Sequence, residues 1–256
     1  MGRAKDIRLK VIPSKIANEF VKKHHYSGKV VPNSKLHFGC FLDGKLHGVM
    51  QYGSPFVKKN VLPIVEGSEW NSMVELNRMA FDNYLPKYSE SRCIAISIKL
   101  IRKNAPQIKW ILSFSDGCSC GDGTIYRASG FKLIGIKENN GLFCYNGENI
   151  HGKVLWDKGI SKSWCIQDKE LNEINKRPNT TITRINGKQL KYIYLIDKSC
   201  KITVPILPFS EIDKQGAGMY KGKKITIAER KQAAVAHKGE QLATSKEGAF
   251  DSTLPL

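Results

Sequence analysis

Residues 115–131, SDGCSCGDGTIYRASGF, place a carboxylate (Asp116), two thiols (Cys118 and Cys120) and a phenol (Tyr126) around a run of glycines. Such a loop can cradle a phosphate, hold a metal through its thiols, or only turn the chain from a strand into a helix. Asp116 follows the buried-strand run IKWILSF, and the carboxyl ends of strands are where open α/β sheets place their ligands. Its carboxylate could take a proton from a substrate or simply cap the turn. Tyr126 lies on a short helix that Gly130 ends, where its hydroxyl can serve a developing charge or its ring can fill the core.

Three further groups could join this chemistry. His25 and Tyr26 sit in the loop HHYSG, where paired histidines with Asp116 or Cys118 raise the question of a metal. That spacing matches no known ligand pattern, so no metal is expected. Strict alternation in VELNRMAF puts Val74, Leu76, Arg78 and Ala80 on one face, leaving the Arg78 guanidinium in need of a neighbouring carboxylate or an anionic substrate. Ser91 stands where an N-cap belongs, ahead of the helical spacing of Ile94, Ile98 and Ile101.

The elements that must position these residues follow from periodicity. IPSKIANEFVKKHH reads as a helix with Ile16, Phe20 and Val21 on one face, and the Asp43–Gly44 dipeptide reads as the turn of a hairpin. VELNRMAF, RCIAISIKLIRKN, IKWILSF, TIYRA and the strands near FKLIGIKE and LFCYNG then alternate as strand, helix, strand, helix, strand. This is α/β organisation with at least one parallel pair. The expected division is a catalytic domain over 1–156, a basic extension packed on it over 157–228 with a hairpin at Asn186–Gly187, and a flexible tail over 229–256.

Charge narrows the partner. A net charge of +18 over 256 residues attracts polyanions and makes association salt-dependent, so nucleic acid leads over a merely basic surface. Seven cysteines without the spacing of a disulfide-stapled domain, and no secretory signal, point to a reducing compartment. No apolar run reaches the length of a membrane span, so no membrane partner is expected.

The succession from VELNRMAF to GTIYRASGFKLIG resembles the central half of the GNAT (N-acetyltransferase) superfamily. That resemblance implies a GNAT-like fold, in which a central mixed sheet splays between two strands and is flanked by helices. One departure bears on the donor: YSESRCIA contains no glycine that would let the backbone approach a diphosphate closely, which argues against acetyl-CoA. A longer series, HHYSGKVV, ELNRMAFD, SESR, SFSDG, CGDGTIYRASGF and TVPILPFS, is similar to the phage Mom family over nearly the whole chain. Membership implies a bacteriophage transferase that converts adenine in duplex DNA to N6-carbamoylmethyladenine, an anti-restriction activity exerted in the cytoplasm of the bacterial host. The family's important positions fall on His25, Tyr26, Arg78, Ser91, Asp116 and Tyr126.

That reaction gives the residues work to do. Adenine N6 is a poor nucleophile and is paired in the duplex, so the base must be flipped and its amine must lose a proton. Asp116 would take the proton, Tyr126 would donate to the leaving group or the oxyanion, and Tyr26 would stack on the flipped base beside His25. Arg78 and Ser91 would hold a phosphate or carbonyl of the donor. The product contains the two carbons and the nitrogen of glycine, which makes glycyl-tRNA the expected acyl donor, with tRNA as a second partner, and acetyl-CoA the alternative. Two other readings remain: a GNAT acyltransferase acting on a protein or RNA amine, and a DNA-binding module without catalysis. A methyltransferase is disfavoured, since GCSCGDG lacks the third glycine of a nucleotide fingerprint and no Asp/Asn-Pro-Pro-Tyr motif occurs.

Overall fold

The chain is described from a computed structural model covering residues 3–220, 223–226, 228–229 and 232. The tail expected over 229–256 lies almost wholly outside the described residues. A short strand, β1 (Arg8–Val11), leads into α1 (Ser14–His24), which buries Ala17 and Val21 and leaves Ile16 exposed, one position off the expected face. The hairpin of β2 (Ser34–Leu42) and β3 (Lys45–Gly53) turns at Asp43 and Gly44, whose φ angles of 52° and 76° suit the type I′ turn read from the dipeptide.

At the centre of the molecule two neighbouring strands pair and then part. β4 (Met73–Phe81) crosses through α2 (Ser89–Asn104) to the parallel strand β5 (Trp110–Asp116), and the two pair only from Met73–Trp110 to Leu76–Ser113. Beyond that point they splay, leaving the carboxyl-terminal half of β4 and the end of β5 unpaired with each other. Helix α2 anchors this geometry by burying Ile94, Ile98 and Ile101, each worth roughly 1.5–3 kcal/mol of transfer free energy. Past the glycine-rich loop come α3 (Thr124–Ala128) and β6 (Lys132–Glu138), with Gly130 at φ 81° ending the helix as expected.

The chain then leaves the sheet. β7 (Leu142–Tyr145), β8 (Glu148–His151), α4 (Gly152–Asp157), α5 (Asp168–Asn175) and β9 (Ile182–Arg184) form a small lobe around Phe143, Leu155, Ile166, Leu171, Ile174 and Ile182. It returns as β10 (Lys188–Leu195), which slots between β5 and β6, so the main sheet has the order β1-β2-β3-β4-β5-β10-β6. The α/β class with a mixed, splayed central sheet flanked by helices is thus the observed architecture.

Three expectations are corrected. No hairpin forms at Asn186–Gly187: β9 pairs with β7 in the lobe and β10 pairs with β5 and β6, because the two strands bury their apolar residues in different cores. The segment over 157–228 therefore supplies an interior strand of the main sheet as well as part of the lobe. Arg78 does not share a face with Val74 and Leu76: Gln51 pairs with Arg78 but Tyr52 pairs with Leu76, so Asn77 is bulged and the alternation reverses. Ser91 is not the N-cap, since α2 starts at Ser89 after Tyr88, which adopts a φ of 70°, and the Ser91 hydroxyl only donates to the Tyr88 carbonyl.

Candidate functional site

Asp116 ends β5 where the strands have parted. Its Oδ1 accepts the backbone N–H groups of Cys118 (2.8 Å) and Ser119 (3.3 Å), so the turn after the strand holds the carboxylate in place. The glycines permit this close turn: a Cβ on Gly187 would lie 2.5 Å from Cys118 Sγ. Asp116 Oδ2 accepts the hydroxyl of Tyr26 at 3.1 Å, although the two are 90 residues apart. Burial, then the Asp116 charge, push the Tyr26 phenol well above its ordinary range, so it stays a donor.

His25 packs its ring on Tyr26, with centroids 4.3 Å apart. Burial first, and then the Arg78 charge, lower its pKa to about 4, so the imidazole is neutral near pH 7. The Ser27 N–H donates to Nδ1 at 3.2 Å, which leaves the ring proton on Nε2, free to donate. Arg78 donates from Nε to the Lys29 carbonyl (3.1 Å) and from Nη1 to the Asn77 carbonyl (2.9 Å). Among the described residues, no carboxylate lies within ion-pair range of it, so the neighbouring carboxylate considered from the sequence does not pair with this guanidinium. The guanidinium instead ties the bulge of β4 to the loop that carries His25 and Tyr26, and burial lowers its pKa.

Tyr126 approaches from the other face of the sheet. It is only 8 % exposed, and its ring lies 5.3 Å from that of Tyr192 and 5.4 Å from that of Phe131. Burial pushes its pKa up to about 12. Ser91 stands apart from this cluster, in a cavity of about 410 Å³ at the start of α2 that Lys5, Lys87, Tyr88, Arg92 and Ser129 also line. The structure thus gathers His25, Tyr26, Arg78 and Asp116, brings Tyr126 up behind them, and assigns Ser91 to a separate basic cavity.

Sequence reasoning missed two carboxyls. Glu75 shares the bulged stretch with Arg78 and has its pKa raised by burial. Asp122 is 1 % exposed and binds the loop to α3 by accepting from Thr124 Oγ1 (3.1 Å), Arg127 Nη2 (2.9 Å) and the Met219 N–H (3.3 Å). No local pattern marks Glu75, whose position depends on the bulge, whereas the Asp-Gly-Thr start of α3 hinted at Asp122. Among the described residues, no group of three or more His, Cys, Asp and Glu side chains is placed to hold a metal ion, and no helix is long and apolar enough to cross a membrane.

The sequence model of the Mom protein family matches residues 6–211. The chain belongs to the Mom family. A curated relative, methylcarbamoylase mom of Escherichia phage Mu, is 34% identical over 148 residues, which span 58% of this chain and 61% of that protein. Among solved structures, a Bacillus subtilis acetyltransferase in complex with CoA aligns at 9% identity and a TM-score of 0.41, over 74% of this chain and 98% of its own. A spermidine/spermine N-acetyltransferase from Vibrio cholerae aligns at 8% identity and a TM-score of 0.43, over 77% and 96%. In this Mom-family chain the motif residues His25, Tyr26, Arg78 and Asp116 are assembled from three elements far apart in sequence.

Proposed function

We propose that this Mom-family protein is a transferase that converts adenine N6 in duplex DNA to N6-carbamoylmethyladenine, acting in the cytoplasm of a phage-infected bacterium to shield DNA from restriction. The observation that carries the reading is the Tyr26–Asp116 hydrogen bond at the open end of the splayed strands, with Arg78 and a neutral His25 beside it. An ionised carboxylate offers about four acceptor positions. Asp116 uses three of them, for Cys118, Ser119 and Tyr26, which leaves one on Oδ2 for the N6–H of an extruded base.

The chemistry runs in two steps. N6 attacks the carbonyl carbon of a glycyl ester, Asp116 takes the N6 proton, and the ester C–O bond breaks to release the donor's hydroxyl, which Tyr126 can protonate because its phenol is held neutral. The free α-amine of the adduct then attacks adenine C6 through a five-membered ring and loses a proton, while the original C6–N6 bond breaks and that nitrogen gains a proton as the terminal amide. The donor on this reading is glycyl-tRNA, and the cavity lined by Lys5, Lys87, Ser91 and Arg92 suits its phosphates. Acetyl-CoA is the second reading, because the same cations would serve its phosphates equally.

Nucleosides from DNA of expressing cells, analysed by mass spectrometry, test the function: wild type yields the adenine adduct, whereas Asp116→Ala and Tyr126→Phe yield none. An adduct at wild-type level in Asp116→Ala ends the reading. Isotope-labelled glycine, supplied with tRNA and its synthetase, distinguishes the donors, since unlabelled product excludes glycyl-tRNA.

A further inference from the structure

The lobe rises from one end of the main sheet. The chain leaves at Glu138 and returns at Lys188, and these two residues are paired in register and by a 2.5 Å ion pair. The next residue, Gln189, lies opposite Asp116 on β5. The insertion therefore stands at the end of the sheet that carries the catalytic carboxylate.

On this lobe two large aromatics face solvent, Trp164 at 50% and Trp156 at 47% exposure. The Trp164 ring is stacked on His151, with centroids 6.2 Å apart and planes within 12°. Two glycines fix that pair: a Cβ on Gly152 would lie 2.0 Å from the Trp164 carbonyl oxygen, and one on Gly141 would lie 3.0 Å from His151 Nε2. Burial lowers the pKa of His151, and the charges of Lys29 and Lys153 lower it further; the Lys153 ammonium lies 5.3 Å from the centroid of the exposed Trp156 ring and 3.0 Å from Asp157. Lys29 belongs to the Tyr26 loop, and its carbonyl accepts from Arg78. The lobe is thus rooted beside the Gln189–Asp116 pair, while the basic cavity of Ser91 lies against Ala128 and Ser129 of α3 and its cap.

We propose that the lobe is the duplex-docking surface, with Trp164, backed by His151, stacking on the base left unpaired or unstacked beside the extruded adenine, and with Lys29 and Lys153 set against the flanking phosphates. This inference rests on adenine in duplex DNA being the acceptor. Extruding a base exposes the π-face of its neighbour, and an indole already held rigid covers that face without losing rotamer freedom. Lysines beside the ring supply the sequence-independent part of the binding. The lobe adjoins the acceptor side and not the donor cavity, which makes duplex DNA, and not tRNA, its partner.

The full chain is titrated with a short duplex carrying 2-aminopurine next to the target adenine, and separately with tRNA, while thermal melts check folding. Trp164→Ala should bind the duplex about 5- to 150-fold more weakly, the range that one base–aromatic stack supplies, and should lose the quenching of 2-aminopurine. Trp164→Leu keeps apolar packing over His151 without a π-face and should show the same loss, whereas Trp164→Phe should retain most of the affinity. Lys153→Ala should lower the slope of log K against log salt by about one. The proposal is overturned if folded Trp164→Ala and Trp164→Leu bind the duplex like wild type, or if their loss is confined to tRNA. Wild-type protein that binds the duplex through Trp164 yet leaves no adenine adduct would refute the acceptor reading and not the docking surface.

Discussion

Asp122→Ala tests whether a buried carboxylate, and not helix propensity, holds Tyr126 in place. Helix α3 has five residues, too few to be stable alone. Its attachment runs through Asp122, whose side chain is fully buried and which accepts from Thr124, Arg127 and the Met219 N–H. Removing the carboxylate leaves the Arg127 guanidinium, only 18% exposed, without its counter-charge, and strands a backbone N–H. Breaking one side of a buried pair costs ~3–5 kcal/mol. Arg127 also donates to Thr124 Oγ1 at 2.7 Å and keeps an opening to water, so the lower end, about 3 kcal/mol, is expected. With an m-value of about 2–3 kcal/mol/M, the urea midpoint should fall by about 1 M. Asp122→Asn, which keeps an acceptor for Thr124 or Met219 but loses the charge, should fall about half as far. The assay is urea unfolding followed by circular dichroism and tryptophan fluorescence. A shift under about 0.3 M for Asp122→Ala would refute the reasoning, because a pair that cheap to break cannot be what fixes the loop.

Two further outcomes follow from the same geometry. Tyr26→Phe removes the donor to the Asp116 carboxylate and should lower kcat/KM for adduct formation about ten-fold with the melting temperature unchanged, and an unaltered rate would show the contact to be incidental. His25 has its folded pKa lowered to about 4 against about 6.5 unfolded, so between these values the unfolded chain binds a proton that the native one does not. Stability should therefore fall as pH drops from about 6.5 toward 4, and His25→Gln should flatten that part of a urea-midpoint profile, whereas an unchanged slope would assign the acid sensitivity elsewhere.

What the sequence determined by itself was local. The dipeptide Asp43–Gly44 named its turn because both residues must take positive φ, and Gly130 ended α3 for the same reason. Three isoleucines at helical spacing named α2, and the succession of strands and helices together with motifs such as SFSDG and TIYRASGF pointed to the family and to Asp116 and Tyr126. What tertiary structure alone decided was non-local. Alternation in VELNRMAF put Arg78 on the wrong face because the bulge at Asn77 is a property of pairing with β3 and leaves no trace in a single strand's pattern. Asn186–Gly187 looked like a hairpin turn, yet β10 gains more by filling the gap between β5 and β6, where Leu190, Tyr192 and Ile193 become fully buried. Ser91, which lies near Asp116 in the motif order, ends in a separate cavity that it shares with Lys5, Arg92 and Ser129, because the register of α2 sets which way each of its residues points. The Tyr26–Asp116 contact and the rooting of the Trp164 lobe beside Asp116 exist only once the sheet has formed, since each joins segments that no local energy brings together.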